Sequence, residues 1–341
     1  ALERSVEQFQ TVYGTTPSLV VADLHPGYHS RSWAEDHAGD AAAVELVQHH
    51  HAHVASVLAE HQLPLDTQVI GFAFDGTGYG EDGAIWGGEV LLGGYQQARR
   101  VAHLRYVPLP GGDGAVRKPY RMALAHLHAA GIDWTADLPP VHAAGRELAG
   151  LQRQLERGVA CLPTSSMGRL FDAVSSLLGI CQVAGYEAQA AVALEAAAEE
   201  FLSTRTPGAE PDDPLDALSF AVRGEDLDPA PVLIGLLRGR ASGRSTGALA
   251  AAFHQAVAWI IADTAEQLRR KTGVEQVVLS GGVFQNGVLV RLARAALRRR
   301  AMRVYTNHAV PPNDGGLALG QAVVAASRYA RGVRDREGRK R

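Results

Sequence analysis

Apolar runs of strand length alternate with stretches of helical composition, and this order predicts an α/β protein. Three observations carry the prediction. Leu19–Ala22, Val69–Phe74 and Val277–Ser280 are short apolar runs, each followed closely by Asp or by a pair of glycines. Ala41 to about His61, Ala248–Lys271 and Gly287–Arg300 lack internal proline and carry apolar residues at helical spacing. Polar and glycine residues gather where strands end, which is where open α/β sheets bind ligands. With 341 residues, about two domains are expected. Hydrophobic residues at 46% and charged residues at 20% exclude collagen-like, coiled-coil and wholly disordered chains. A net charge of -3 offers no broad basic field, so no nucleic-acid partner is expected. No apolar run reaches the roughly 18 residues of a membrane span. Two cysteines, Cys161 and Cys181, make no disulfide framework and suit a reducing, cytoplasmic setting.

In chain order, residues 1 to about 14 form a helix, with Val6, Phe9 and Val12 on one side. The chain opens with Ala1-Leu2-Glu3-Arg4, without initiator Met or signal peptide, which suits a fragment of a longer polypeptide. Leu19–Ala22 is a buried strand that runs into Asp23, His25 and Pro26. Ala41 to about His61 is a helix stopped by Pro64. Val69–Phe74 and Gly87–Leu92 pair as a hairpin with a glycine-rich tip, Asp75–Gly80. Residues 108–114 form a loop. Arg169–Leu178 and Ala188–Phe201 are helices, and Pro207–Pro214 and Asp226–Pro231 are surface loops. Ala248–Lys271, Gly287–Arg300 and Gly316–Tyr329 are helices, and Val277–Ser280 and Arg303–Thr306 are strands. From Arg331 the chain reads as a charged, frayed tail.

The segment Gln48-His49-His50-His51-Ala52-His53 places four histidines in five residues. On a helix, residues four apart share a face, so His49 and His53 can hold one metal ion. His50 with His53 is the weaker pairing, and an incidental polar helix face is the alternative. Asp75 and Asp314, each beside glycines, are the best further ligands. Asp314 is otherwise a helix N-cap.

Two glycine loops follow strands: Asp75-Gly76-Thr77-Gly78-Tyr79-Gly80 and Ser280-Gly281-Gly282-Val283-Phe284-Gln285-Asn286. Glycines admit a phosphate or ribose close to the backbone, but a plain hairpin turn or tight packing explains them equally. Ser165-Ser166-Met167-Gly168-Arg169-Leu170-Phe171-Asp172 opens a helix, whose amino end is a ready phosphate site. Glu187 either accepts ribose hydroxyls or is a first-turn acid. Arg117, Lys118 and Arg121 form a small basic group that either holds a phosphate-bearing substrate or is a solvated face.

Taken in order, Gln-His-His-His-Ala-His, Asp-Gly-Thr-Gly-Tyr-Gly-Glu-Asp-Gly, Trp-Gly-Gly-Glu, Pro-Leu-Pro-Gly-Gly-Asp, Gly-Arg-Leu-Phe-Asp-Ala-Val, Ser-Gly-Gly-Val-Phe-Gln-Asn and Asn-Asp-Gly-Gly are more specific than any one alone. From about Ser18 to Ala326 the chain resembles the C-terminal carbamoyltransferase domain of the HypF family of NiFe hydrogenase maturation factors. The resemblance implies a two-lobed actin/hexokinase-like (ASKHA) fold with one metal, iron or zinc, beside a nucleotide. It implies His49, His53, Asp75 and Asp314 as metal ligands. Gly76, Gly78, Gly168, Arg169, Asp172, Glu187, Gly281, Gly282 and Asn286 are expected on the nucleotide side. Residues 1–66 would form lobe I, completed by 311–330, and residues 67–310 would form lobe II with the nucleotide site, followed by the tail 331–341.

The chemistry implied is transfer of the carbamoyl group of carbamoyl adenylate, the mixed anhydride with AMP made from carbamoyl phosphate and ATP, to the C-terminal cysteine of HypE. The thiocarboxamide so formed becomes the cyanide ligands of the hydrogenase iron. Asp75, Arg117 and Lys118 are the expected catalytic groups, the two cations serving the leaving phosphate. No nucleophile from this chain is required. The acylphosphatase, zinc-finger and YrdC-like segments of the family are absent, so carbamoyl adenylate would come from upstream or from another chain. The family's first-lobe β-hairpin also has no counterpart before Ser18, which leaves the Leu19–Ala22 strand near an open sheet edge. Ala188 stands where the family usually has Gly. O-carbamoylation of a small metabolite and a non-catalytic nucleotide-binding scaffold are the competing readings.

Overall fold

The computed structural model describes residues 2–38, 43–204 and 218–338. The strands are β1 (Leu19–Asp23), β2 (Ala43–Val47), β3 (Val69–Tyr79), β4 (Ile85–Gly93), β5 (Ala98–Leu104), β6 (Val107–Pro110), β7 (Cys161–Thr164), β8 (Ala221–Arg223), β9 (Asp226–Asp228), β10 (Gln276–Ser280) and β11 (Arg303–Thr306). The helices are α1 (Leu2–Tyr13), α2 (His29–His37), α3 (His49–Glu60), α4 (Asp113–Arg117), α5 (Pro119–Ala129), α6 (Pro139–Ala144), α7 (Leu148–Arg157), α8 (Met167–Leu177), α9 (Gln189–Ser203), α10 (Ala230–Ala241), α11 (Thr246–Thr272), α12 (Gly287–Arg299) and α13 (Leu317–Gly338).

Two sheets organise these elements. β1 and β2 form a two-stranded parallel sheet, with Leu19 opposite Ala43 and Asp23 opposite Val47. The second sheet has nine strands, in the order β11-β10-β3-β4-β5-β9-β8, with β7 joining it at β4 and β6 pairing with β7. Strand alternation sorts the side chains of β3. Ile70, Phe72 and Phe74 face the large core with Leu170, Phe171 and Phe253, while Val69 and Ala73 face Val54, Val57 and Leu58 of α3. The opposite face of α3 packs through Ala52 and Ala55 against Leu317 and Val324 of α13. At that crossing a Cβ on Gly320 would lie 1.8 Å from the Ala52 carbonyl oxygen, so only glycine fits. α3 is therefore a wall shared by both packing layers. α11 is long and apolar enough to cross a membrane, but its most apolar window is 78% buried, as a core helix should be.

Several expectations are corrected. The helix expected from Ala41 begins only at His49, and residues from Ala43 to Val47 are strand β2 instead. That strand pairs with β1, so one edge of Leu19–Asp23 is satisfied rather than open. Gln48 marks the change, because its side chain accepts the His51 N–H at 2.9 Å and caps α3. Asp75–Tyr79 is not a loop tip. β3 runs through it with a register irregularity between Phe74 and Gly78. The loop expected over 108–114 begins as β6, and Asp226–Pro231 holds β9 and the first turn of α10. α13 continues to Gly338 through most of the expected tail. The loop expected over Pro207–Pro214 and the last three residues lie outside the described residues. Among the described residues no hairpin precedes β1.

Candidate metal centre and nucleotide cavity

α3 starts at His49, so His49 and His53 share its buried face one turn apart. Asp75 stands where β3 loses its regular pairing, and its carboxylate turns toward that helix. Asp75 Oδ2 lies 3.3 Å from His49 Nε2 and 3.0 Å from His53 Nε2. Asp75 Oδ1 accepts its neighbour Gly76 N–H at 2.7 Å and the Gly282 N–H at 3.3 Å. Asp314 opens the short turn before α13, and its Oδ1 lies 3.6 Å from both histidine Nε2 atoms. Asn313, not Asp314, caps that turn, accepting the Gly315 N–H at 3.1 Å. The Asp314 carboxylate is thus left free for another role.

All four ligand atoms lie within 4.8 Å of one another. Ligands held about 2.0–2.1 Å from one tetrahedral ion stand roughly 3.4 Å apart, close to the spacings seen. The donor set, two imidazoles and two carboxylates, suits zinc or iron. The charges agree. Burial opposes charge on the histidines, yet Asp23, Asp314 and Asp75 hold His49 well above the usual histidine range, and Asp314 and Asp75 raise His53. Burial would raise Asp75, but the two histidines pull it well below the carboxylate range, and they do the same to Asp314. The carboxylates therefore call for positive charge between them, which a divalent ion supplies. The other two histidines of the run differ. Burial drives His50 well below its usual range and His51 to about 4, so both are neutral. His51 Nε2–H donates to the Gly94 carbonyl at 2.7 Å.

The loop carrying Asp314 is tied to the same helix. Glu60, at the end of α3, accepts the N–H groups of His308 and Ala309 at 2.6 and 2.7 Å and that of Val310 at 3.4 Å. His61 Nε2–H donates to the Thr306 carbonyl at 2.9 Å, and Asn307 donates to Ser56 Oγ at 3.2 Å.

Beside the four ligands lies a cavity of about 520 Å³. Asp75, Gly76, Gly168, Arg169, Asp172, Glu187, Gly282, Asn286 and Asp314 are among the residues that line it. Behind it, Ser166 Oγ lies 2.9 and 2.7 Å from the carbonyl oxygens of Asp75 and Gly76, which share its one proton, while it caps α8. Arg169 and Asp172 are buried and 2.9 Å apart, in a charge contact without the alignment of a hydrogen bond. Burial raises Asp172 to about 6 against the pull of Arg169, and Arg169 Nε has no hydrogen-bond partner. Arg169 thus keeps one enclosed donor unpaired. Asn286 is more committed. Its Oδ1 caps α12 by accepting the Leu289 N–H at 2.8 Å, and its amide donates to His254 Nε2 at 2.9 Å. His254 Nδ1–H donates to Ala250, which fixes that tautomer, and burial lowers the ring to about 4.

Four expected residues are not brought to the cavity. Gly78 packs under the histidine run, where a Cβ would lie 2.4 Å from His50. Gly281, at φ +99°, packs against the Phe74 carbonyl. Both glycines serve close packing. Arg117 and Lys118 line no part of the cavity, and Arg117 is exposed. Lys118 Nζ and Arg121 instead both bind Glu147 at 2.6 Å, lowering that carboxylate to about 2. Residues not singled out for this site from the sequence include Thr77, Glu195 and Asn313 on the cavity wall.

Comparison with known proteins identifies the family. Residues 71–321 match the model of the carbamoyltransferase Kae1-like domain, second subdomain, and residues 1–60 match the HypF Kae1-like domain. The chain is 38% identical to carbamoyltransferase HypF2 of Cupriavidus necator, over 96% of this chain and 42% of that protein. It is 39% identical to a carbamoyltransferase HypF homolog of the same organism, covering 96% of this chain and 82% of that protein. A crystal structure of full-length HypF in a phosphate- and nucleotide-bound form superposes with a TM-score of 0.81 at 36% identity, over 94% of this chain and 48% of that one. The chain spans less than half the length of HypF2 and of the full-length HypF crystal chain. Its fold is accordingly the two-lobed, actin/hexokinase-like Kae1-type fold. The chain belongs to the HypF carbamoyltransferase family, and its match lies in that family's Kae1-like domain.

Proposed function

We propose that this chain is the carbamoyl-transferring unit of a hydrogenase maturation enzyme. It takes the carbamoyl group of carbamoyl adenylate and delivers it to the C-terminal cysteine thiolate of a HypE-like acceptor, yielding the thiocarboxamide precursor of the cyanide ligands. The observation that carries this reading is a shared wall: Asp75 and Asp314 belong both to the four-ligand group and to the cavity lining. A metal ion held there and a nucleotide in the cavity would be direct neighbours. The nucleotide-bound HypF relative supports the second half.

His49, His53, Asp75 and Asp314 would hold one divalent ion, iron or zinc. Such an ion, when bound, supplies Lewis acidity toward carbamoyl or phosphate oxygen. In the transfer itself the acceptor sulfur attacks the carbamoyl carbon, a C–S bond forms, and the carbon–oxygen bond to AMP breaks. Arg169 and the backbone at Gly168, both on the cavity wall, would hold the departing phosphate. They take the part that Arg117 and Lys118, bound up with Glu147 or facing solvent, were expected to play. Glu187 would take the ribose. The working division is residues 1–66 with 311–330 as one lobe and 67–310 as the other. A YrdC-like activity, upstream or on another chain, would supply carbamoyl adenylate, with acylphosphatase and zinc-finger segments alongside it. The setting would be cytoplasmic, without a membrane or nucleic-acid partner.

Elemental analysis of the purified chain beside His53→Ala tests the centre. About one equivalent of iron or zinc is expected in the parent chain and little in the variant. No metal in either, even after anaerobic reconstitution, removes the Lewis acid from the reading. Mass spectrometry of a HypE C-terminal peptide incubated with chain and carbamoyl adenylate tests the acceptor. An unmodified thiol under saturating donor sinks that part.

A further inference from the structure

Asp23 ends strand β1, and its carboxylate is buried, with the residue only 4% exposed. A charge in such a place is costly unless fully partnered. Sheet register explains how it comes to be partnered. β1 pairs with β2 so that Asp23 stands opposite Val47, and the Leu24 N–H continues the ladder to the Val47 carbonyl at 3.1 Å. Two residues later His49 begins α3. Asp23 Oδ2 then lies 2.9 Å from His49 Nδ1, and Asp23 Oδ1 accepts the His25 N–H at 2.8 Å. His25 is itself tied down, its Nδ1 accepting the Gly27 N–H at 3.0 Å and its ring stacking on Tyr28 at 4.3 Å.

We propose that Asp23 is a positioning residue for the metal group, fixing His49 with the proton on Nδ1 and the Nε2 lone pair aimed between His53, Asp75 and Asp314. An imidazole has one lone pair when neutral, and an acceptor at one nitrogen reserves the other for the metal. The inference rests on the reading that the four-ligand group binds a divalent ion. Its sharpest feature is that both atoms facing the Asp23 carboxylate are donors. The isosteric amide of Asn cannot serve them together. In one orientation its NH₂ meets the His25 N–H, and in the other it meets His49 Nδ1 and invites the wrong tautomer.

The test is Zn²⁺ affinity, by chelator competition, of the parent chain, Asp23→Asn and Asp23→Ala, with the melting temperature of each metal-free chain beside it. Loss of an outer partner of this kind weakens metal binding by about 10- to 100-fold, and that is expected for both variants. A carboxylate with a purely structural role would lower the melting temperature and leave the affinity of the folded chain at the parent value, which overturns the proposal. If the parent chain binds no zinc, the metal reading fails and this inference with it. If only the variants match the parent, this inference fails alone. Should the variants not fold, ¹⁵N spectra of the histidine rings in the zinc-loaded parent chain decide. A slowly exchanging proton on His49 Nδ1 is expected, and a proton on Nε2 overturns the proposal.

Discussion

The two sheets of this molecule are held together by different amounts of packing. The nine-stranded sheet is buried beneath helices, and Phe72, Phe74, Phe171 and Phe253 are fully enclosed. The β1–β2 sheet has two strands, and Leu19, Val20 and Val21 are only half-buried. Helix α1 beside it buries no residue, and Phe9, Val12 and Tyr13 are exposed. The candidate centre draws on both. Asp75 comes from the dense sheet, Asp23 from the thin one, and His49 and His53 from the helix between them. Three of the four candidate ligands, His49, His53 and Asp75, are thus buried on well-packed elements, while Asp314 stands exposed on a short turn and the thin sheet contributes the Asp23 carboxylate against His49.

The largest test of that contrast is a pair of truncations. Phe72→Ala should cost about 3–5 kcal/mol, as deletion of an enclosed aromatic does, whereas Phe9→Ala should stay within about 0.5 kcal/mol. Urea denaturation of the two variants checks this. Equal losses would mean that α1 packs on something that the described residues do not include.

A second test lies inside the dense region, which carries its own weakness. Both ring nitrogens of His126 are buried without a hydrogen-bond partner, and burial pushes the ring to about 4. The unfolded ring titrates near 6.5, so between these values the unfolded chain holds the extra proton. Its contribution is fully present above about 6.5 and is lost as pH falls toward about 4. His126→Leu should therefore stabilise the chain by about 1–3 kcal/mol, more at about pH 5 than at about pH 8. Melting curves at both values check it. A gain independent of pH would mean that the ring is not held neutral.

The smallest expected effect is at the cavity rim. Ala188 holds a left-handed backbone at φ 60°, ψ 9°, a conformation that favours glycine. Ala188→Gly removes a cost of about 1–2 kcal/mol and adds back about 0.4–1 kcal/mol of chain entropy. A net gain of about 0.5 kcal/mol is expected from denaturation curves. A loss would show that the alanine methyl packs usefully.

Legibility from sequence followed the range of each interaction. The His49–His53 pairing was readable because four-residue spacing on a helix is a local fact. Asp75 and Asp314 were readable as motif members, although 238 residues separate them in the chain. Strand β2 was missed because Ala-rich sequence suits a helix, and only pairing with β1 overrides that preference. Arg117 and Lys118 do not line the cavity, because a nearby glycine loop says nothing about where a side chain points. Glu147, well downstream, decides that for Lys118. Gly78 and Gly281 show the same limit: a glycine needed for packing reads like one needed for a ligand. The bond from Asp23 to His49 was hidden because it depends on a strand register that no local pattern encodes.

Helix α3 carries more of the assembly than its two histidines. Its far end, through Glu60, holds the turn at His308–Val310 that leads to Asp314. Three of the four ligands are thus measured from a single rigid rod, and the fourth stands on the strand against which that rod is packed. In a machinist's terms, the rod is the datum, and dimensional error does not accumulate along the 238 residues between Asp75 and Asp314. Sequence insertions far from this helix should leave the spacing of the four atoms intact, whereas one residue inserted between His53 and Glu60 would rotate its two ends by about 100° relative to each other.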